Sequence, residues 1–333
     1  MTIKSLIKSF TPALALQVYH WLLAMIACRY YQNPSEQLVV IGITGTSGKS
    51  TTAELTYHIL KSTGHKVGLA SGIRFDDGET SVPNNTKMTM VGRFQLQRLL
   101  RRMVDNGCHY AVVEVTSLGI SQYRHLGIHF DLVLITNFWS EHDAAHGGLE
   151  NYKQAKAELF RHLMRQPVKL LPGAPRERIA ITNMDDANYP FFFSLPADHK
   201  LSFSLHQTGD DVITAENIAI TTQGNDFTVR HQAFHTHLLG EHNVYNALAA
   251  IAIGIALELP LADCAAALSE VHDVPGRLER IESGQDFTVI IDYAFEPGAM
   301  KKLYAVIKDL PHNKIIHVLG TTGGGRDAQR GGI

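Results

Sequence analysis

The stretch Val39-Val-Ile-Gly-Ile-Thr-Gly-Thr-Ser-Gly-Lys-Ser-Thr-Thr52 constrains this 333-residue chain more than any other. The apolar run Leu38 to Ile43 reads as a buried strand, and Thr51 to Thr63 as a helix stopped by Gly64. Between them lies a glycine- and threonine-rich turn ending in Gly48-Lys49-Ser50. Glycines let backbone N–H groups approach an anion closely, and a helix N-terminus adds a positive dipole end. Lys49 offers a point charge and Ser50 a hydroxyl for magnesium. The stretch therefore predicts a phosphate loop. The general spacing would place glycine at position 43, where Ile43 stands, so the match is to the narrower form Thr44-Gly45-Thr46-Ser47-Gly48-Lys49-Ser50.

Downstream, apolar runs alternate with helical spacing. Lys66–Ser71, Tyr110–Val115, Asp131–Thr136 and Ile179–Asn183 are of strand type, and helices are expected over Phe94–Asn106 and Glu150–Met164. Such alternation demands crossover connections, hence an α/β class with a doubly wound, mostly parallel sheet. From about Leu201 to Leu239 the pattern changes to short strands, Val212–Ile220, Phe227–His231 and Phe234–Leu239, expected as a small antiparallel appendage. Helices over Asn243–Leu257 and Leu261–Val271 follow, then a hinge at Val274-Pro275-Gly276. Strand Phe287–Ile291, helix Pro297–Asp309, strand Ile315–Leu319 and the glycine-rich run from Gly320 to Asp327 read as the start of a second α/β domain. One such unit leaves apolar faces uncovered, so the sequence is expected to be a fragment or a truncated form. The expected boundaries are 1–37 for an apolar N-terminal helix segment, 38–273 for a nucleotide-binding domain and 274–333 for a partial C-terminal domain.

The run Ser9 to Cys28 is uncharged and lies between Lys8 and Arg29. Its length approaches a membrane span, but Pro12, Gln17 and His20 interrupt it. A helix packed on the protein, or touching a membrane interface through residues 10–28, is expected ahead of a span. A nucleotide site next to this segment places the chain in the cytoplasm, membrane-associated only through that segment. A net charge of -2 gives no electrostatic basis for nucleic-acid binding. Cys28, Cys108 and Cys264 are too scattered for a zinc knuckle or a disulfide framework and read as buried thiols.

In a doubly wound sheet, ligands bind at the carboxyl ends of the strands. Glu114 closes one strand there. Thr136-Asn137 closes the next and leads into Glu141-His142-Asp143, and Lys156 lies one to two turns into the following helix. A carboxylate near Ser50 suits magnesium, because hard cations take oxygen ligands. His142 and His146 have a spacing that could serve zinc, but Gly147-Gly148 and the lack of a third nearby ligand argue against it. His231, His235 and His237 are expected at the surface of hairpins.

These residues, with Glu114-Val-Thr-Ser117, Gln122, Arg124, Asn151-Tyr152, Gly240-x-His242-Asn243-Val-Tyr-Asn246, Pro275-Gly276-Arg277-Leu-Glu279-Arg280 and Asp292-Tyr293-Ala294, form an ordered series. Over about residues 38–333 the series resembles the Mur ligases, most closely the UDP-N-acetylmuramoyl-tripeptide synthetase branch. The resemblance implies ATP-dependent joining of an amino group to a carboxylate through an acyl phosphate, with ATP and Mg2+ as cofactors. UDP-MurNAc-L-Ala-D-Glu and an amino acid, diaminopimelate or lysine, would be the substrates, acted on by a monomer. It also implies that Gly45, Thr46, Ser47, Gly48, Lys49, Ser50 and Thr51 bind ATP, with Asn246, Arg277 and Asp292 near adenine, phosphate and ribose. Lys49, Glu114, His142 and Lys156 would carry catalysis. Ser50, Glu114, His142 and Lys156, the last as a carbamate or as a plain amine facing phosphate, would surround the metal. Thr89, Thr116, Gln122 and Arg124 would touch the UDP-sugar.

The chain also departs from that pattern. About 37 residues precede the first strand, too few for a UDP-binding domain, and a family histidine near the phosphates is Phe295. A ligase without that domain, akin to folylpolyglutamate synthase or to a lipid II amidating subunit, is one alternative. The former usually carries Gly-Lys-Gly where Gly48-Lys49-Ser50 stands, and the latter a four-cysteine ribbon. A nucleotide-binding protein without ligase activity is the other.

Overall fold

The computed structural model describes residues 13–86, 88–140, 146–294 and 297–320. Strand β1 (Val39–Thr44) lies at the centre of the main sheet, and all of its residues are buried. It pairs in parallel with β5 (Tyr110–Glu114) on one edge and β6 (Leu132–Ile135) on the other. A strand covered on both faces and both edges needs a continuous apolar run, which Val39, Val40, Ile41 and Ile43 supply. Gly42 is required by packing, since a Cβ there would sit 2.8 Å from the Phe130 ring.

The sheet continues through β2 (Val67–Ala70), β3 (Arg74–Asp76) and β4 (Ser81–Pro83) on one side. On the other run β7 (Ile179–Asn183), β8 (His199–Ser204) and β9 (Val212–Thr214). Nine strands stand in the order β4-β3-β2-β5-β1-β6-β7-β8-β9. The pairings β2 with β3 and β3 with β4 are antiparallel, and the rest are parallel. One face buries Ile41, Ile43 and Leu134 beneath helices α2 (Lys49–Ser62) and α7 (Glu241–Ala256), with Leu55 and Ile251 in the same core. The other buries Val40, Val113 and Val133 with Leu100 of α3 (Arg93–Asp105) and Leu159 of α5 (Leu149–Met164). Each such aliphatic side chain contributes about 1.5–3 kcal/mol on full burial.

Helix α1 (Ala13–Tyr30) packs against α3, with Ala24, Ala27 and Cys28 buried. Val18, Trp21, Leu22 and Ile26 remain exposed. Among the described residues no helix is long and apolar enough to cross a membrane. All three cysteines are free and buried.

Two expectations about the region after Leu201 need correction. Val212–Ile220 is two strands: Val212–Thr214 extends the main sheet beside β8, and β10 (Glu216–Ile220) pairs antiparallel with β11 (Asn225–Val229). The chain changes sheets at Ala215, whose amide bonds Ser204 O. Alternation marks a strand but not which sheet receives it. The strand expected over Phe227–His231 stops at Val229, because Arg230 and His231 both adopt positive φ, 49° and 68°, in the two-residue turn leading to β12 (Gln232–Thr236). Such turns match the twist of a hairpin. Near the C-terminus, β14 (Val289–Ile291) pairs with β13 (Glu279–Ile281), and α9 spans Pro297–Asp309. Ile315–Leu319 forms no strand, and Ile316 and Val318 are exposed, because no strand pairs with it among the described residues.

Several histidines are buried as neutral rings. Burial, aided by the charges of His162 and Arg165, lowers the His125 pKa to about 3, and both its ring nitrogens lack a hydrogen-bond partner. Burial likewise lowers His129 to about 4. Unfolding restores an ordinary pKa near 6.5, so the unfolded chain binds more protons below that pH. This contribution to stability is complete above about pH 6.5 and declines as pH falls, by at most about 1.4 kcal/mol per histidine per unit. The urea midpoint is therefore expected to drop between pH 7 and pH 5. His125→Phe should remove one histidine's share of that slope, and an unchanged slope in the variant would contradict the assignment.

Candidate active site

The loop between β1 and α2 is tied to the strand ends and helices around it. Thr46 N donates to Asn137 O at 3.0 Å and Ser47 N to Asn137 Oδ1 at 2.9 Å. Ser47 O accepts from Thr136 Oγ1 at 2.7 Å and from Asn137 Nδ2 at 3.1 Å. The Thr46 hydroxyl lies 3.2 Å from Tyr152 OH. Two glycines are obligatory. Gly45 has φ 145°, and a Cβ would lie 1.9 Å from Thr136 Oγ1; Gly48 has φ 80°, and a Cβ would lie 2.3 Å from Asn246 Oδ1. Gly48 also caps α2, whose first turn carries no acidic residue, so the helix end is left positive.

The charged groups gather around this loop. Lys49 Nζ donates to Thr46 O at 2.9 Å. Ser50 Oγ donates to Glu114 Oε2 at 2.9 Å, and the same carboxylate oxygen accepts from Gly72 N at 2.8 Å. Glu114 is 2% exposed. Lys156, from the neighbouring helix α5, is also buried and donates to Gly45 O at 2.6 Å. Arg277 Nη2 reaches Ser50 Oγ at 3.4 Å from beyond the turn at Val274–Arg277. Asn246 sits against Gly48, and Thr51 is buried one residue beyond Ser50. Asp292 is placed by its two backbone bonds, from Leu278 N at 2.7 Å and Ala294 N at 2.6 Å. Burial pushes its carboxyl above the ordinary range against the pull of those amides. His142 lies outside the described residues.

The remaining named residues line the edge nearest Glu114. Thr89 stands against Gly72, where a Cβ would lie 3.3 Å from both Thr89 Oγ1 and Glu114 Oε2. Thr116 caps the short helix α4 (Ser117–Ser121), its hydroxyl accepting from Gly119 N. Gln122 Oε1 accepts two bonds from Arg124. His146 Nε2 lies 3.0 Å from Ser117 Oγ, within hydrogen-bond distance.

Three contacts were not foreseen: the Gly72 amide on Glu114, the Tyr152 hydroxyl on Thr46, and Arg74. Arg74 forms a bidentate pair with Glu54 of α2 and bonds Asp76 at 2.9 Å, bracing the turn that presents Gly72. Only the Ser71-Gly72 pair after an apolar run hinted at a tight turn there.

Ser50 and Glu114 provide adjacent hard oxygen donors beside a backbone cradle for phosphate. That donor set fits Mg2+ and a nucleoside triphosphate. Among the described residues no group of three or more His, Cys, Asp or Glu side chains stands where it could hold a metal ion.

Comparison with known proteins agrees with this geometry. The family model for the Mur ligase middle domain matches residues 43–254, and that for the Mur ligase, glutamate ligase domain matches residues 276–331. A UDP-N-acetylmuramyl-tripeptide synthetase of Roseiflexus sp. (strain RS-1) is 36% identical over 320 residues, covering 94% of this chain and 62% of that protein. A UDP-N-acetylmuramoyl-L-alanyl-D-glutamate--2,6-diaminopimelate ligase of Geobacillus kaustophilus is 33% identical, covering 92% of this chain and 62% of that protein. The chain thus spans about three fifths of the length of these relatives. Among solved structures, a UDP-N-acetylmuramoyl-L-alanyl-D-glutamate--2,6-diaminopimelate ligase superposes with TM-score 0.68 at 27% identity, over 87% of this chain and 57% of that one.

Gly48→Ala tests the cradle. The added methyl group meets Asn246 in a backbone conformation that costs an L-residue roughly 1–2 kcal/mol. Affinity for a fluorescent ATP analogue is expected to fall at least about tenfold, equivalent to about 1.4 kcal/mol, while far-UV circular dichroism stays unchanged. Undiminished affinity would place the phosphates elsewhere.

Proposed function

The chain belongs to the Mur ligase family, and from that membership we propose that it is an ATP-dependent ligase forming an amide bond in peptidoglycan precursor synthesis. In this reading it adds diaminopimelate or lysine to UDP-MurNAc-L-Ala-D-Glu, in the cytoplasm where nucleotide and sugar nucleotide occur together. The observation that carries it is the convergence of Lys49, Ser50, Glu114, Lys156 and Arg277 on one phosphate loop.

The residues divide the work by position. The amides from Gly45 to Ser50 and the start of α2 hold the phosphates, and Lys49 exchanges its loop carbonyl for a terminal phosphate oxygen. Arg277 approaches from the far side of Ser50, where charge grows as the bond to the terminal phosphorus breaks. The substrate carboxylate oxygen attacks that phosphorus, giving an acyl phosphate and ADP. The amine then attacks the acyl carbon, loses a proton and releases inorganic phosphate. Bound Mg2+, held by Ser50 and Glu114, would neutralise phosphate charge during the transfer. Lys156 donates to Gly45 O beside the loop; as a carbamate it would supply a further anion to the ion. Catalysis of this kind is positioning plus preorganised charge. Asn246 and Asp292 would orient the nucleoside, while Thr89, Thr116, Gln122 and Arg124 would face the sugar nucleotide.

ADP release measures the proposal. UDP-MurNAc-L-Ala-D-Glu plus diaminopimelate or lysine should stimulate ADP formation with matching peptide product; stimulation by a folate and glutamate instead would overturn it. Lys49→Ala should abolish nucleotide binding. Lys156→Ala should remove ligation, by about a hundredfold or more, and leave binding of an ATP analogue within about threefold of wild type. Full ligation by that variant would remove Lys156 from the mechanism.

A further inference from the structure

Beside Thr89 lie two arginines with which no carboxylate pairs among the described residues. Arg93 opens α3, and Arg124 follows α4. Both converge on Gln122. Arg93 Nη2 donates to Gln122 O at 2.6 Å, and Arg124 donates to Gln122 Oε1 through Nε at 3.1 Å and Nη2 at 2.6 Å. Arg124 also bonds Met90 O and touches Met88 Sδ at 3.7 Å. Because a guanidinium can only donate, His20 Nδ1 of α1 accepts from Arg93 Nη2 at 3.0 Å. None of these partners is a carboxylate.

Among the described residues no carboxylate pairs with either arginine, and the charge acting on Arg124 is that of Arg93. Burial holds both groups below the ordinary arginine range, and the neighbouring Arg93 charge lowers Arg124 further. Arg93 Nε is buried without a hydrogen-bond partner. The N-terminus of α3, with no acidic residue in its first turn, adds positive potential at the same point. Two like charges, partly desolvated and uncompensated, are costly in the free protein and favourable once an anion arrives. The chain places them next to chemistry: the segment whose Met90 carbonyl receives Arg124 also carries Thr89, which borders Gly72 and Glu114.

We propose that Arg93, braced by His20 of the N-terminal helix, joins Arg124 in binding an acidic group of the carboxylate-bearing substrate, remote from the carboxylate that is activated beside Glu114. The shared chemistry is an anionic oxygen group, either a second carboxylate or a phosphate. The proposal rests on the ligase reading above and adds to it a specificity-determining arginine and a role for α1: the helix fixes the substrate clamp.

Calorimetric titration of the full chain with three probes tests this. They are UDP-MurNAc-L-Ala-D-Glu, MurNAc-L-Ala-D-Glu, which bears carboxylates only, and UDP, which bears phosphates only. Arg93→Ala is expected to weaken the first at least tenfold, and also one of the two partial probes, which identifies the anion. Affinity for an ATP analogue and the melting temperature should not move. Arg93→Lys, which keeps charge but not the planar fork, should recover part of the loss, and His20→Ala should cost about threefold. If wild type and Arg93→Ala bind all probes equally, the inference fails while the ligase reading stands. If wild type binds none of the three, both fail.

Discussion

Glu114 is held by donors from two separate parts of the chain, and the architecture of the site follows from that restraint. Ser50 comes from the loop that ends β1, and Gly72 from the turn after β2. Their bonds meet on one carboxylate oxygen at the end of β5, the strand lying between β1 and β2. A buried carboxylate with fewer donors would be expelled or protonated. The three carboxyl ends must therefore stay in register, and the sheet core supplies the rigidity for this through β-branched residues packed on both faces. Arg74 extends the restraint one layer outward by tying the Gly72 turn to Glu54, one turn below Ser50 on α2.

Much of the fold was legible because the signals were local. The runs Leu38–Ile43, Tyr110–Val115, Asp131–Thr136 and Ile179–Asn183 are short, apolar and separated by helical spacing, and all four became parallel strands, with ends shifted by a residue in three of them. The helix ending at Met164 was legible to the residue at its close. The parts that were not legible depended on partners distant in sequence. Nothing in Val212–Ile220 tells the chain to leave one sheet for another at Ala215, and β3 and β4 are three residues each, with too little alternation to register as strands. Ile315–Leu319 has strand composition, but composition cannot provide a neighbour to pair with.

The candidate site was legible where side-chain chemistry is tied to a strand end. Lys49, Ser50, Glu114 and Lys156 could be named from residue type and position, and the structure sets all four about one loop. Asn246 and Arg277 could be named only through resemblance, since their approach to Gly48 and Ser50 arises from tertiary packing across about 200 residues of chain. Backbone donors such as Gly72 N have no sequence signature at all. Arg93 escaped notice because a helix-opening arginine is ordinary; what sets it apart is that no acid pairs with it among the described residues.

The segment that carries Arg277 and Asp292 meets the main body through Leu239, Leu278 and Val306, with Ile290, Leu303 and Leu310 packed against them, and through the Arg280 bond to Thr222 O. Apolar side chains of this kind contribute about 1.5–3 kcal/mol each on full burial, before ordering costs. A bias of about 5.5 kcal/mol carries a two-state balance from 1:99 to 99:1, which is the same order. A ligand bridging Ser50 and Arg277 would add to this contact on a comparable scale. In the proposed reaction the nucleotide would then be a fastener as well as a substrate, since the groups that hold it come from both sides of the turn at Val274–Arg277.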